Sequence, residues 1–129
     1  MPRTPANPFG ATRLDEVLCV EARAYNTRQD GTVHLFLAMD AVSRHAHHFD
    51  IRPSAGLADY VTFMRQLEGK YPLVQGITLA TSLPPLLRKE LMATFPLFGE
   101  VLCDPKGVAT ITEEFHMGFA AHMGLRALN

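Results

Sequence analysis

The sequence predicts an α/β domain in which helices cover one mixed β-sheet, and three observations support this class. The chain has 129 residues, of which 47% are hydrophobic, and this is enough for one compact core. Apolar residues alternate in the first half of the chain and recur at three- and four-residue steps further on, which indicates strands followed by helices. Only short turns join the first three predicted strands, whereas helices precede the last two. The first three strands should therefore form an antiparallel meander, and the last two should join the same sheet through helical crossovers.

The strands are predicted from alternating residues and from apolar runs. Leu18, Val20 and Ala22 lie on one face at a period of two, which is typical of a strand. The Asp-Gly pair at 30–31 favours a tight turn. The run that follows, 33–39, is nearly continuous in apolar residues, so this second strand should be buried on both faces. The five predicted strands cover about residues 16–25, 32–40, 44–52, 73–80 and 99–103.

Three helices are predicted from helical spacing and from Pro and Gly near their ends. Tyr60, Met64 and Leu67 recur at helical steps before Gly69, which should end the first helix. The sequence Asp-Pro-Lys-Gly at 104–107 is interpreted as a turn, so the third helix is expected to begin later, at a Thr that resembles a cap. The predicted helices cover about residues 57–69, 86–95 and 112–128.

Composition excludes several classes of protein. Residues 1–14 are rich in Pro, Asn and Thr, so we predict an extended lead-in before a single domain over residues 15–129. The chain has only two cysteines, Cys19 and Cys103, which excludes a disulfide-stapled miniprotein. No apolar run approaches the roughly 20 residues of a membrane-spanning helix, and the N-terminus lacks the apolar stretch of a signal peptide. We therefore expect a soluble, cytoplasmic protein with no membrane partner.

One stretch of sequence carries a resemblance to a known family. Residues 35–44 read LFLAMDAVSR, an apolar run that ends in Asp and is separated by two residues from Ser-Arg. This resembles the second-strand phrase of integrase cores and DDE transposases, and the predicted order of elements resembles that of a ribonuclease H-like domain. The resemblance implies a ribonuclease H-like fold with a five-stranded mixed sheet flanked by helices. In that family the Asp of this phrase is usually not a metal ligand, so no catalytic role is assigned to Asp40.

The resemblance also implies where catalytic carboxylates should lie. The family uses three of them to hold two Mg²⁺ or Mn²⁺ ions for phosphodiester chemistry. The first, in the first strand, corresponds to Glu21, and the third, in a late helix, corresponds to Glu114, with Glu113 as a substitute. The second should follow the fourth strand, where this chain has Ala80 and Thr81 and no carboxylate.

These departures predict a degenerate integrase-like or transposase-like domain that is catalytically inactive. Family members usually carry Asp where this chain has Glu21, and the longer side chain moves the carboxylate by about 1.5 Å. A misplacement of about 1 Å can already cost roughly a hundredfold in rate. No cofactor is expected, although an active protein would bind Mg²⁺ or Mn²⁺ through Glu21 and Glu114. Two alternatives stay open: a non-catalytic interaction or self-association module, and an active metal-dependent DNA strand transferase.

Two further sets of polar residues are candidates for binding. Arg23, Arg44 and Arg52 are candidates for a nucleic-acid surface, with an internal ion pair between Arg23 and Glu21 as the alternative. The net charge of −1 at pH 7 predicts that any DNA binding is weak, because phosphate neutralisation supplies most non-specific affinity. The second set could bind a metal through imidazole nitrogens or could simply lie at the surface. Its members are His34, His45 and His47.

The C-terminal segment predicts a homodimer. Its apolar residues surround most of a helix, and a self-complementary patch is the commonest way for two copies of a chain to associate. The alternative is that this helix packs wholly inside the monomer, and its two histidines, His116 and His122, are interpreted as structural. The apolar residues are Phe115, Phe119, Ala120, Met123, Leu125 and Leu128.

Overall fold

A computed structural model describes residues 7–28, 31–123 and 126–127. It contains six strands: β1 Val17–Thr27, β2 Gly31–Asp40, β3 Ala46–Arg52, β4 Thr78–Thr81, β5 Glu100–Cys103 and β6 Arg126–Ala127. The three α-helices are α1 Leu57–Lys70, α2 Arg88–Thr94 and α3 Pro105–Met123, and a 3₁₀ turn, Pro85–Leu87, precedes α2.

The strands form one mixed sheet with the order β3-β2-β1-β4-β5. β2 runs antiparallel to both β1 and β3, whereas β4 is parallel to β1 and β5 is parallel to β4. The α/β class, the five-stranded mixed sheet and the initial meander are therefore confirmed. The short β6 was not predicted, and it pairs with the end of β1 at Tyr25 and Asn26.

Helices cover the two faces of the sheet unequally. The even-numbered residues of β1, such as Leu18 and Val20, pack against α1, α2 and their neighbours. The odd-numbered residues, such as Cys19, pack on the other face against α3 through Val108 and Ile111. β2 is buried on both faces, as its apolar run predicts. Because α3 lies over β1 and β4, it leaves the same face of the edge strand β3 partly exposed.

The third helix begins earlier than expected, because Asp-Pro-Lys-Gly is a helix start and not a turn. Pro105 occupies the first position of α3, where its missing N–H is not needed. The carboxylate of Asp104 accepts the backbone N–H of Gly107 at 3.0 Å, which is the hydrogen bond of an N-cap residue. Thr112 lies within the helix, where its hydroxyl oxygen lies 3.1 Å from the carbonyl of Val108.

The fourth strand is shorter than predicted, since residues 73–77 contain a turn at 75–76 and only Thr78–Thr81 pairs with β1. Gly76 has a φ of 87°, which ends any extended run, and its N–H donates to the carbonyl of Leu97 at 2.7 Å. The turn also packs tightly on the start of β5, because a Cβ on Gly99 would lie 2.7 Å from the Gly76 oxygen.

The N-terminal lead-in contacts the core. Residues 1–6 lie outside the described part of the chain, and the segment 7–14 contains turns. Phe9 and the buried Ala11 pack with the cluster under α3, and the side-chain amide of Asn7 donates to the carbonyl of Ala41 at 3.0 Å. Within the described residues, no helix has the length and apolar character needed to cross a bilayer.

Candidate functional site

Glu21 is a buried carboxylate in the middle of the sheet. It pairs with Leu37 of β2, one residue beyond the last pair between β1 and β4, and it is 4% exposed. The Thr112 hydroxyl donates to its Oε1 at 2.8 Å, and Nε2 of His116 lies 2.5 Å from the same oxygen. The guanidinium of Arg23 lies 3.3 Å from Oε2. Glu21 therefore contacts α3 through Thr112 and His116, whereas the residues predicted for the third site are Glu114 and Glu113.

The network continues beyond the carboxylate to Tyr25. The second ring nitrogen of His116, Nδ1, lies 2.5 Å from the Tyr25 hydroxyl, which forms a chain of carboxylate, imidazole and phenol. Burial raises the pKa of Tyr25 to about 12, so this hydroxyl keeps its proton at neutral pH. His116 was expected to be structural, and the contact explains why a helix of mostly apolar character buries a polar ring here.

Hydrogen bonds and charge keep Glu21 ionised despite its burial. Burial raises the pKa of this carboxyl, but the hydrogen bonds from His116 and Thr112 and the charge of Arg23 outweigh it. The pKa of Glu21 therefore lies below its ordinary value.

The two glutamates predicted for the late helix differ in their contacts. Glu113 lies 3.2 Å from the Arg23 guanidinium, so Arg23 bridges it to Glu21. Glu114 is exposed, and successive residues of a helix point about 100° apart, so the two carboxylates do not face Arg23 together. The catalytic assignment of Glu21 with either glutamate stays a prediction.

The position where the family's second carboxylate would lie contains hydroxyl groups. Ala80 and Thr81 are both buried, and the Thr81 hydroxyl accepts the N–H of Leu83 at 3.3 Å. The next hydroxyl, of Ser82, lies 2.7 Å from that of Tyr60, which in turn accepts an N–H of β1 at 3.2 Å. The carboxyl end of β4 is therefore closed by neutral groups.

The three arginines predicted to bind nucleic acid have partners within the chain. Arg23 binds Glu21 and Glu113, and Arg52 binds Asp59 at 2.9 Å. Arg44, whose φ is 60°, donates to the backbone carbonyls of Ala41 and Ile111. Arg44 and Arg52 lie at opposite ends of β3, roughly 20 Å apart at the rise of a strand. A nucleic-acid surface made by these residues stays a prediction.

The Asp of the family-like phrase organises the turn after β2. The Asp40 carboxylate accepts the backbone N–H groups of Val42 at 3.0 Å and Ser43 at 2.8 Å, and that of Asp15 at 2.9 Å. Burial raises the pKa of Asp40, but these three hydrogen bonds lower it more, so the net shift is downward. The last residues of the phrase, 40–44, thus have a local structural role, because they form the connection between β2 and β3.

Three potential metal ligands converge beside this turn. One ligand atom from each of Asp15, Asp40 and His47 lies within 4.8 Å of the other two. Within the described ranges, no other three His, Cys, Asp or Glu residues come this close together. Sequence reasoning named His47 but missed Asp15, because no local pattern links a residue before β1 to one in β3. The suggestion that His34 joins His45 and His47 is wrong, since His34 pairs with Arg52 at the far end of β3.

No family model, curated protein or solved structure matches the chain. Its function is therefore inferred from the residues and their geometry.

Proposed function

We propose that this chain is a ribonuclease H-like domain of the integrase and transposase type that has no intact acidic triad and does not catalyse phosphodiester chemistry. One observation carries the proposal. Glu21, at the position of the first catalytic acid, is bound by Thr112, His116 and Arg23, while the end of β4 offers Thr81 and Ser82 in place of a second acid.

The arrangement of the sheet supports the ribonuclease H-like part of the proposal. The meander β1-β2-β3 is followed by two strands that add in parallel beside β1, each reached through a helix. This is the order of elements that the resemblance implies, and it brings the middle of β1, the end of β4 and a late helix to one region.

Electrostatics supports the inactive part of the proposal. A two-metal site needs several carboxylates to offset two divalent cations. Here a metal ion at Glu21 would have to compete with the Arg23 guanidinium at 3.3 Å and with the His116 ring at 2.5 Å. The neutral hydroxyls at the end of β4 contribute no charge to favour the ion over these groups.

The test is a cleavage and strand-transfer assay on labelled DNA with Mg²⁺ or Mn²⁺. We expect no metal-dependent product from the wild-type protein and no difference between it and the variants Glu21→Gln and Glu114→Gln. Metal-dependent cleavage that is lost in Glu21→Gln and kept in Glu90→Gln, a control on α2, would overturn the proposal and favour an active transferase.

A second candidate function is self-association as a homodimer, and the edge of the sheet favours it. Phe49 and Ile51 are 52% and 45% exposed on β3, where α3 covers the sheet only in part. The ring of Phe49 lies 6.0 Å from that of Phe115, which stacks on Phe119, so the apolar surface continues onto α3. An exposed apolar edge strand is suited to pairing with a second copy of itself. The described part of the chain does not include three of the groups predicted for this surface. These are Leu125, Leu128 and the side chain of Met123.

A further inference from the structure

We propose that Asp15, Asp40 and His47 bind a divalent transition-metal ion such as Zn²⁺, at a site separate from the Glu21 network. Asp15 precedes β1, Asp40 ends β2, and His47 lies near the start of β3, so all three belong to one end of the sheet. The proposed degenerate active site lies further along the sheet, because the carboxyl end of β4 pairs with Val20 in the middle of β1. The inference therefore does not depend on the proposed function.

The chain brings these ligands together by its strand pairing. Asp40 and the start of β3 are neighbours because β2 and β3 are antiparallel. His47 occupies an irregularity in this pairing, where Ala38 opposes His48 and Met39 opposes Ala46. A bulge of this kind gives one strand an extra residue and redirects its side chain.

The charges and the unpaired nitrogen favour a cation. Two carboxylates lie side by side, and among the described residues neither Asp15 nor Asp40 forms an ion pair with a basic group. Nδ1 of His47 is buried, and it has no hydrogen-bond partner within the described ranges. A buried polar atom without a partner is unfavourable, because it loses its hydrogen bonds to water. Coordination of an ion in this cluster would offset the repulsion between the carboxylates.

Neighbouring groups hold the ligands in place. The Tyr71 hydroxyl donates to Oδ1 of Asp15 at 3.0 Å, and its ring stacks on His47 with centroids 3.8 Å apart. The Asp40 carboxylate is fixed by three backbone N–H groups, of which only one, from Asp15, binds Oδ1. An oxygen with one hydrogen bond can still accept a metal ion, and outer partners of this kind orient ligands in metal sites.

The chemistry of the ligands selects the class of metal. An imidazole beside two carboxylates suits Zn²⁺ and related transition metals better than Mg²⁺ or Ca²⁺, which prefer oxygen ligands. Three protein ligands leave a coordination position open, as in catalytic zinc sites. A pocket of about 250 Å³ adjoins the ligands and is also lined by Leu14, Ser43 and His45, so a water molecule or small anion would have room at that position.

The test is a titration of the full, untagged chain with Zn²⁺, followed by calorimetry and by thermal unfolding. We expect one ion per chain and a rise in the unfolding temperature. His47→Phe and Asp15→Asn should each weaken binding by over about a hundredfold, because losing an outer partner of a ligand already costs 10–100-fold. The Phe at position 47 keeps a ring that can stack on Tyr71. His34→Phe, on β2 opposite the far end of β3, should bind as the wild type does.

Three results would overturn the site. The first is the absence of saturable binding by the folded wild-type protein. The second is unchanged binding in both His47→Phe and Asp15→Asn, which would place the ion on other surface histidines. The third, Mg²⁺ binding as tight as that of Zn²⁺, would contradict the transition-metal assignment. Circular dichroism on each variant shows that a loss of binding is not a loss of folding.

Discussion

At the scale of single residues, Glu21 combines two properties that conflict unless other groups intervene. It is almost fully buried and yet ionised, and burial alone disfavours the charged form. Thr112, His116 and Arg23 resolve the conflict by donating to its two oxygens. Such a carboxylate contributes to folding stability through these contacts and is poorly disposed to release them for a metal ion.

We expect Glu21→Gln to lower the free energy of unfolding by about 2–3 kcal/mol, below the 3–5 kcal/mol typical of breaking a fully buried pair. The smaller value follows because Arg23 is partly exposed and keeps Glu113 as a partner. Urea unfolding measures the change. The exposed Glu114→Gln serves as the control and should alter stability by less than about 0.5 kcal/mol.

The lowered pKa of Glu21 also predicts how the stability of the protein changes in acid. The pKa of Glu21 is lowered from 4.5 in the folded state, so the unfolded chain takes up the proton first as the pH falls. The stabilisation is therefore complete above about pH 5 and is lost as the pH falls below 4.5 towards the folded pKa. Arg23, His116, Tyr25 and Glu113 also face this group, and His116→Gln with and without Glu21→Gln isolates the contribution of His116. A difference between wild type and Glu21→Gln that grows on acidification would contradict the assignment.

At the scale of elements, the start of α3 decides which residues meet Glu21. Asp104 and Pro105 begin the helix, and the regular helical rise then carries Thr112 and His116, four residues apart, to the same face. The buried Gly107 allows the first turn of α3 to pack closely against Asp104 and Phe9. A Cβ at this position would lie 2.6 Å from the Asp104 carboxylate and 2.8 Å from the Phe9 ring.

We expect Asp104→Ala to destabilise the protein by about 1 kcal/mol, the usual effect of removing an N-cap side chain. The hydrogen bond lost is the one from the Gly107 N–H. Thermal or urea unfolding measures it, and Lys106→Ala, an exposed position of the same turn, is the matched control. Equal stability of the two variants would mean that the Asp104 carboxylate does not cap the helix.

At the scale of the whole molecule, one helix on one face of a five-stranded sheet leaves part of that face uncovered. α3 lies over β1 and β4, so the outer strand β3 exposes Phe49 and Ile51 beside Phe115. A dimer through this surface would have to bury on the order of 1,000 Å² or more. The net charge of −1 opposes association little.

Sedimentation at micromolar concentration should therefore show a species of twice 14.3 kDa. Phe49→Asp should shift it to the monomer, because burying the introduced carboxylate in an interface is unfavourable. Leu86→Asp, which replaces a side chain 87% exposed on the other side of the sheet, should leave the dimer intact. Phe49→Asp tests the interface more specifically than Phe119→Asp would, since the Phe119 ring also packs on Tyr25 within the monomer. A wild-type mass of 14.3 kDa would end the dimer hypothesis.

The sequence alone determined the features that depend on neighbouring residues. Alternation in β1 and the apolar run of β2 predicted a sheet and its first two members, and the short turns predicted antiparallel pairing. The absence of a carboxylate at 80–81 is likewise visible in the sequence. The true start of α3 was also encoded locally, as Asp followed by Pro, but the same residues are common in turns.

Only the tertiary structure decided what each polar side chain contacts. His116 lies 95 positions after Glu21, and Asp15 lies 25 before Asp40, so no local spacing relates either pair. Their meeting depends on strand register and on the rotation of α3 about its axis. A shift of one residue in a strand turns every side chain to the opposite face, and burial of the whole apolar set selects the register. The contacts of the polar residues therefore follow from the packing of the apolar ones.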